Sequence, residues 1–136
     1  MKQDATSIEH HDCRQMAAAL EGLAGSLQAG YHVDAKDLHE ASEMAVWVWE
    51  AGPVIPNGRQ GLFMEARRNL ESNVAACAQG QPREAGIVER AALRMAREFR
   101  FLAAETRKHE ARKELPKAVD ERIHDLVRKY GRHAAA

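Results

Sequence analysis

The sequence predicts an all-α protein, arranged as an up-down-up-down four-helix bundle with a short C-terminal fifth helix. Aromatic residues make up only 5% of the 136 residues, whereas Ala, Glu and Arg, which favour helices over strands, are abundant. Apolar residues recur at alternating steps of four and three, as they do on the buried stripe of a helix. The connections are short, so consecutive helices are expected to be antiparallel neighbours. The length indicates one domain, residues 1–136.

Five helices are predicted, and helix-end signals give their bounds. The first covers about residues 7–29. Thr6 and Glu9 form a capping box before it, and Gly30 suits the left-handed position that follows a helix. The same kinds of signal, together with interrupting prolines, place the other four at about 35–51, 59–79, 83–115 and 117–130.

The apolar stripe of the fourth helix turns polar towards its end. Its expected core positions are Val88, Ala92, Met95, Phe99 and Leu102. The same steps continue to Thr106, His109 and Lys113, so this end of the helix either faces water or belongs to a site. In the predicted bundle, the starts of the first and third helices meet the ends of the second and fourth. The polar groups expected to meet there are His10, Glu50, Glu65 and the segment 106–110.

The second helix is apolar almost all round. One side carries Leu38, Ala45, Val46 and Trp49, and the other carries Met44, Trp47 and Val48. We expect such a helix to be buried or to contact a partner. We predict a homodimer with Trp47 or Trp49 at the contact, because aromatic anchors dominate such interfaces.

Charge is balanced overall but uneven along the chain. Residues 1–82 carry 6 basic and 11 acidic side chains, and residues 83–136 carry 14 and 9. We interpret this difference as acidic early helices that pack beside basic late ones. Glutamates interrupt the arginines of the fourth helix, which argues against nucleic-acid binding.

Composition also indicates where the protein resides. No apolar segment of a secretory signal is visible near the N-terminus, and the longest apolar run, residues 44–49, is far too short to span a bilayer. Cys13 and Cys77 form neither a disulfide framework nor a zinc site. We therefore expect no membrane interaction and a location in the reducing cytoplasm.

Two segments of the chain repeat one pattern. Val46-x-x-x-Glu50 is followed by Val54-Ile55-Pro56, and Thr106-x-x-x-Glu110 is followed by Glu114-Leu115-Pro116. The pairs Glu9-His10 and Glu65-Ala66 open the first and third helices. In these features, over residues 8–116, the chain resembles the hemerythrin-like, or HHE cation-binding, family. The resemblance implies a four-helix bundle whose helix ends hold a di-iron centre.

The chain departs from the family at the metal ligands. The family's histidines correspond to His10, Val46, Ala66 and Thr106, and its two carboxylates correspond to Glu50 and Glu110. A di-iron centre needs several imidazoles, which Val, Ala and Thr do not supply. We therefore expect a degenerate site without a cofactor, in which Trp49 and Phe63 fill the space and Glu50 and Glu110 lie at its rim.

An altered ligand set is the alternative. His10, Glu50, His109 and Glu110 would form a site for iron or another divalent cation, of the two-His, two-carboxylate kind that bundles build. His39 and Glu43 form a further His-x-x-x-Glu step. Because His39 lies roughly 16 Å along the axis from Glu50, we interpret that pair as a solvated helix edge.

Three functions remain open. The first is a hemerythrin-like protein without its di-iron site, acting as a non-enzymatic interaction or ligand-sensing module for an unidentified protein or small molecule. The second is a metal-binding relative involved in oxygen or metal sensing or storage. An enzyme is least supported, because the sequence has no nucleophile–base pair and no phosphate-binding glycine loop.

Overall fold

The computed structural model describes residues 5–51, 59–79, 81–105 and 115–133, and every regular element within these ranges is helical. The helices are α1 (Ala5–Gln28), α2 (Ala35–Ala51), α3 (Arg59–Ala78), α4 (Pro82–Glu105) and α5 (Lys117–Tyr130), followed by a short 3₁₀ helix, Gly131–His133. The prediction of an all-α protein is confirmed.

The helix ends agree with the sequence signals to within one residue except at two places. The second and fifth helices begin and end where they are predicted to. α1 begins at Ala5, so Thr6 lies inside the first turn and is not the residue that precedes the helix. The fourth helix is predicted to reach Leu115, which is not helical, because the proline that follows disfavours the α conformation there. Residues 106–114 lie outside the described ranges.

A Schellman motif ends α1. Gly30 has a φ of 81°, which a residue with a Cβ adopts only with strain. The amide of Tyr31 donates to the carbonyl oxygen of Ser26 at 2.9 Å, and the amide of Gly30 donates to the carbonyl oxygen of Leu27 at 3.1 Å. These two bonds satisfy carbonyls that the helix leaves unpaired at its end. The predicted role of Gly30 is confirmed.

The core lies between α1 and the helices around it. α1 packs on α2, α4 and α5, and α3 packs on α2 and α4. All five predicted stripe positions of α4 are at most 1% exposed, so the stripe is confirmed. Other fully buried side chains include Met16, Leu20, Leu23, Phe63 and Leu70. Burial of each large apolar side chain contributes about 1.5–3 kcal/mol to stability.

Acidic side chains of α1 and α2 pair with basic side chains of α4 and α5. The pairs are Glu21 with Arg100 at 2.6 Å, Glu40 with Arg122 at 2.8 Å, and Asp37 with Lys129 at 2.7 Å. The uneven distribution of charge along the sequence therefore gives ion pairs between helices of the same molecule, as predicted.

α5 lies against both α1 and α2. Its buried side chains are Ile123, Leu126 and Tyr130. The backbone of α5 comes so close to α1 that a Cβ added to Gly22 would lie 2.6 Å from the carbonyl carbon of Tyr130 and 2.9 Å from the nitrogen of Gly131. Only glycine permits this approach.

Candidate functional site

The predicted metal ligands are only partly within the described residues. Glu50 lies in the last turn of α2, and its side chain is exposed. His10 belongs to α1, but its side chain is outside the described part, and His109 and Glu110 lie outside the described residues altogether. Among the side chains that are described, no group of three or more His, Cys, Asp or Glu could hold a metal ion. The four-residue ligand set stays a prediction.

Three aromatic rings meet near the end of α2. Trp49 and Phe63 are stacked, with ring centroids 4.3 Å apart and planes 6° from parallel. Phe99 of α4 meets both rings at nearly right angles, with centroid distances of 5.9 Å and 5.5 Å, a geometry that ring quadrupoles favour. Trp49 is 8% exposed and both phenylalanines are fully buried. The prediction that Trp49 and Phe63 turn inward is confirmed, and Phe99 completes the cluster.

Two positions that carry histidines in the hemerythrin-like pattern flank this aromatic cluster. Val46 lies one helical turn before Trp49 and is half-buried, and Ala66 lies one turn after Phe63 and is 1% exposed. Neither side chain can coordinate a metal. Thr106, a third such position, lies outside the described residues. Apolar groups thus fill the described part of this region, and they do not fit a di-iron centre.

Trp47 points away from the aromatic cluster and is 46% exposed. Met44 and Val48, which share its side of α2 in the sequence pattern, are covered by neighbouring helices. Of the two tryptophans named in the homodimer prediction, only Trp47 is therefore accessible to another molecule.

A groove lies on each side of Trp47. The groove between α2 and α5 has a volume of about 250 Å³, and its other lining residues are Glu40, Glu43, Met44, Ala118, Val119 and Arg122. The groove between α2 and α3 has a volume of about 270 Å³ and is also lined by Glu43, Val46, Glu50 and Arg67. Sites for drug-sized ligands are usually about 300–1,000 Å³. Each groove is better matched to one large side chain.

We call Trp47 and the walls of these two grooves the Trp47 surface. Glu40, Glu43, Trp47 and Glu50 follow one another at steps of three, four and three. This spacing places them on one face of α2. Carboxylates therefore lie both before and after the indole.

The arginines of the Trp47 surface are already engaged. Arg122 donates from Nε to Oε2 of Glu40 at 2.8 Å and from Nη1 to Oδ2 of Asp125 at 3.1 Å. Arg67 donates from Nε to the carbonyl oxygen of Ser42 at 3.3 Å, and its Nη2 lies 3.9 Å from a carboxylate oxygen of Glu71. Arg122 is thus paired with two carboxylates, whereas Arg67 makes only long contacts. Glu50 forms no ion pair with any described residue.

Glu43 has a histidine as its neighbour. Its Oε1 lies 3.0 Å from Nε2 of His39, and the two side chains are 56% and 55% exposed. The interpretation of this pair as a solvated helix edge is confirmed. Such an exposed contact contributes little to stability and leaves Glu43 open to a partner.

Glu40 has one carboxylate oxygen without a partner. Its Oε1 is shielded from solvent and accepts no hydrogen bond within the described part of the chain. An unsatisfied buried acceptor costs about 1–3 kcal/mol. The residue lines the groove between α2 and α5, but its shielded oxygen does not face the solvent in that groove.

A buried polar cluster holds α5 on α2. The hydroxyl of Tyr130 donates to Oδ2 of Asp37 at 2.5 Å, and Nζ of Lys129 donates to the same oxygen at 2.7 Å. Burial, followed by the bond to Asp37, raises the pKa of Tyr130 to about 12. Hydrogen bonds to Asp37 and Asp34 raise the pKa of Lys129. These bonds fix the helix that supplies one wall of the Trp47 surface.

Two carboxyl groups face each other between α1 and α5. Asp12 is 5% exposed. Burial, and then repulsion from and hydrogen bonding with the Asp120 carboxylate, raise the pKa of Asp12 to about 7. Nε2 of His124 lies 3.5 Å from Oδ1 of Asp120. Asp12 therefore keeps its proton up to a pH near its raised pKa.

A larger groove of about 400 Å³ lies between α3 and α4. Its rim combines Arg90 and Arg94 with Glu65, Asn69 and Asn73. Nδ2 of Asn73 donates to the carbonyl of Asn69 at 2.8 Å, within α3. The mixed charge and the absence of an exposed aromatic residue among its lining residues make this groove a weaker candidate than the Trp47 surface.

Sequence reasoning identifies part of the Trp47 surface and misses the rest. It selects Trp47, Glu43 and Glu50 separately, and it does not select Glu40 or Arg122. The three-four-three spacing along α2 was a usable signal. No signal in the sequence indicated that α5 contributes to this surface, because no local pattern reveals which helices a short amphipathic segment packs on.

None of the described helices combines the length and the apolar character needed to cross a bilayer.

Comparison with known proteins does not identify a relative. No protein-family model, no curated protein and no solved structure matches the chain.

Proposed function

We propose that this protein is a hemerythrin-like, up-down-up-down four-helix bundle with an additional fifth helix, and that its di-iron site is degenerate. It functions in the cytoplasm as a non-enzymatic interaction module. The half-exposed Trp47, with a groove on each side, carries this proposal.

The pairwise packing of the helices supports the bundle. α1 packs on α2, α2 on α3, α3 on α4 and α4 on α1, which is the cyclic order of consecutive neighbours. Along α2 and α3 the contacts follow opposite directions: Ser42 donates to Glu71, and further on Trp49 stacks on Phe63. Antiparallel helices joined by a short connection give this order.

The aromatic cluster supports the loss of the di-iron site. Hemerythrin-like proteins use imidazoles at the positions of Val46 and Ala66. Stacked rings now lie within one helical turn of both positions, and Ala66 is buried beside them. Their packing also gives the region apolar stability that needs no metal.

The Trp47 surface supports binding to another protein. Partly exposed tryptophans between small depressions are typical anchors of protein interfaces. α5 is held by the buried contacts of Asp37, so the groove wall is formed before a partner arrives. A preformed site loses less conformational entropy on binding. A homodimer through one of the two tryptophans would have to use this same residue, because Trp49 is buried.

Metal binding by an altered ligand set is the second candidate. It requires His10, Glu50, His109 and Glu110 to coordinate iron or another divalent cation. Glu50 favours it to a limited extent, because this exposed carboxylate forms no ion pair within the described ranges.

Metal analysis distinguishes the two proposals. The protein would be purified without chelators from cells supplied with iron, and its metal content would be measured by mass spectrometry. We expect no stoichiometric iron or other transition metal. Stoichiometric metal that is lost in a Glu50→Gln variant, but retained in Glu43→Gln, would replace the interaction module with the metal-binding protein.

A further inference from the structure

We infer that the Trp47 surface binds a basic amphipathic helix of a partner protein. This inference rests on the proposed function and specifies the chemistry of the partner. It comes from the charge of the surface, the exposed indole that lines both grooves, and the shape and size of those grooves.

The charge of the surface selects a basic partner. Glu43 and Glu50 lie on either side of Trp47 on one face of α2. Among the described lining residues the basic ones are Arg122, which is paired with Glu40 and Asp125, and Arg67, which makes longer contacts with Glu71 and a backbone carbonyl. Glu50 forms no ion pair within the described residues and Glu43 contacts an exposed histidine, so both carboxylates are accessible to a lysine or arginine brought by another molecule.

The groove between α2 and α5 favours a cationic group in particular. The indole of Trp47 lines this groove. An ammonium or guanidinium group that enters it would lie against the aromatic face, where a cation is stabilised.

The shape of the surface favours a helix as the carrier of these groups. Two depressions of about 250 Å³ and 270 Å³ are separated by the ridge of Trp47. Side chains three or four residues apart on a helix project to one side and can fill such paired depressions. Met44, Val119 and Val46 supply apolar walls for them. The remaining positions of the partner helix would carry the lysines or arginines that meet Glu43 and Glu50.

A second copy of this chain is a poorer occupant, so at this surface the inferred partner helix replaces the homodimer predicted from the sequence. In a two-fold dimer the same patch contacts itself. Two copies of Glu43 and Glu50 would then face each other around the paired tryptophans, and like charges in an interface oppose association.

Binding to a designed peptide tests the inference. The probe is a fluorescein-labelled helix of about 18 residues, or five turns, with leucine at helical spacing on one face and lysine elsewhere. One control peptide has glutamate in place of lysine, and another has the same composition with its leucines scattered around the helix. Fluorescence anisotropy at physiological salt gives the dissociation constants.

The variants separate the site from general attraction. We expect Trp47→Ala to weaken binding of the lysine peptide at least about tenfold, as the loss of an interface anchor does. The pair Glu43→Gln and Glu50→Gln should weaken it about fivefold, and reversing both charges to lysine should transfer the preference to the glutamate peptide. The matched controls are Tyr31→Ala, an exposed aromatic outside both grooves, and Glu84→Gln with Glu89→Gln on α4. They should change affinity less than twofold, an effect within about 0.5 kcal/mol.

Each outcome decides the inference. Equal binding of the lysine and glutamate peptides, unchanged affinity in the charge-reversed protein, or a Trp47-dependent homodimer seen by light scattering without peptide would overturn it. The glutamate variants answer the question even if Trp47→Ala does not fold. None of these readouts involves metal content. If the protein contains no metal and does not bind the peptide, only the inferred class of partner is refuted. Stoichiometric metal would refute the proposed function.

Discussion

The indole of Trp49 and the ring of Phe63 lie parallel, 4.3 Å apart, and join the end of α2 to the start of α3. Phe99 closes the cluster from α4. Two residues earlier, Trp47 leaves the core and forms the ridge between two grooves. The same turn of α2 thus supplies both the centre of the fold and the surface through which we propose that the protein acts.

Removal of Phe99 should be among the most damaging single changes. We expect Phe99→Ala to lower the free energy of unfolding by about 3–5 kcal/mol, through the lost transfer energy and the cavity left between Trp49 and Phe63. Urea denaturation measures the change. Trp47→Ala is the matched aromatic truncation at an exposed position and should cost less than about 1 kcal/mol. Equal losses in the two variants would show that the aromatic cluster does not stabilise the core.

Chelation should not affect stability. Because apolar burial holds the helices together, we expect EDTA to leave the melting temperature unchanged. A metal bound only to the folded protein would raise the melting temperature by mass action. His10→Ala should shift stability by less than about 1 kcal/mol. If EDTA lowers the melting temperature and His10→Ala removes that sensitivity, the altered ligand set is real.

The aspartate pair between α1 and α5 should make stability fall as pH rises. The pKa of Asp12 is about 7 in the folded protein, against about 3.9 in an unfolded chain. Between these values the folded state keeps a proton that the unfolded state has lost. The contribution of Asp12 is therefore fully present below about pH 4, decreases up to about pH 7 and is flat above it.

Asp12→Asn isolates this contribution. The amide is neutral at every pH and can still donate to Asp120, so the variant should be more stable than the original protein at pH 8, by about 1–3 kcal/mol. The difference should shrink towards pH 4. Urea denaturation of both proteins across this range gives the comparison, and the shared titration of the histidines cancels. A constant difference between the two proteins would contradict a raised pKa at Asp12.

Gly22 should not tolerate a methyl group. Alanine normally stabilises a helix relative to glycine by about 1 kcal/mol. At Gly22 the added carbon would meet the backbone of Tyr130 and Gly131, so we expect Gly22→Ala to cost about 1–3 kcal/mol, as overpacking does. Gly86→Ala on α4 is the matched control, because its nearest neighbour would be the side chain of Arg90 at 3.5 Å. It should stabilise the protein by about 0.5–1 kcal/mol. A stabilising Gly22→Ala would show that α5 does not pack this closely.

The elements set by local signals could be predicted from the sequence. Gly30, the apolar stripe of α4 and the bounds of α2 depend on residues within a few positions of one another. The inward turn of Trp49 and Phe63 was expected through the resemblance, in which Val46 and Ala66 stand where larger imidazoles would be.

The contacts made by α5 were not predictable in this way. The bonds of Tyr130 and Lys129 with Asp37, the approach to Gly22 and the Asp12–Asp120 pair depend on how a short helix is positioned across two others. Many positions would bury Ile123 and Leu126. Polar partners that are far away in the sequence determine which of these positions α5 adopts. The periodicity of apolar residues does not indicate such distant partners.

The position of α5 also determines when the contacts of α1 and α2 can all form during synthesis of the chain. Tyr130 follows Asp37 by 93 residues, and Arg122 follows Glu40 by 82. The ribosome releases α1 and α2 long before the helix that covers them, and contacts of such separation form slowly. Until residues 117–131 emerge, the nascent chain exposes the parts of α1 and α2 that α5 covers, and exposed apolar surface of this kind favours aggregation or chaperone binding.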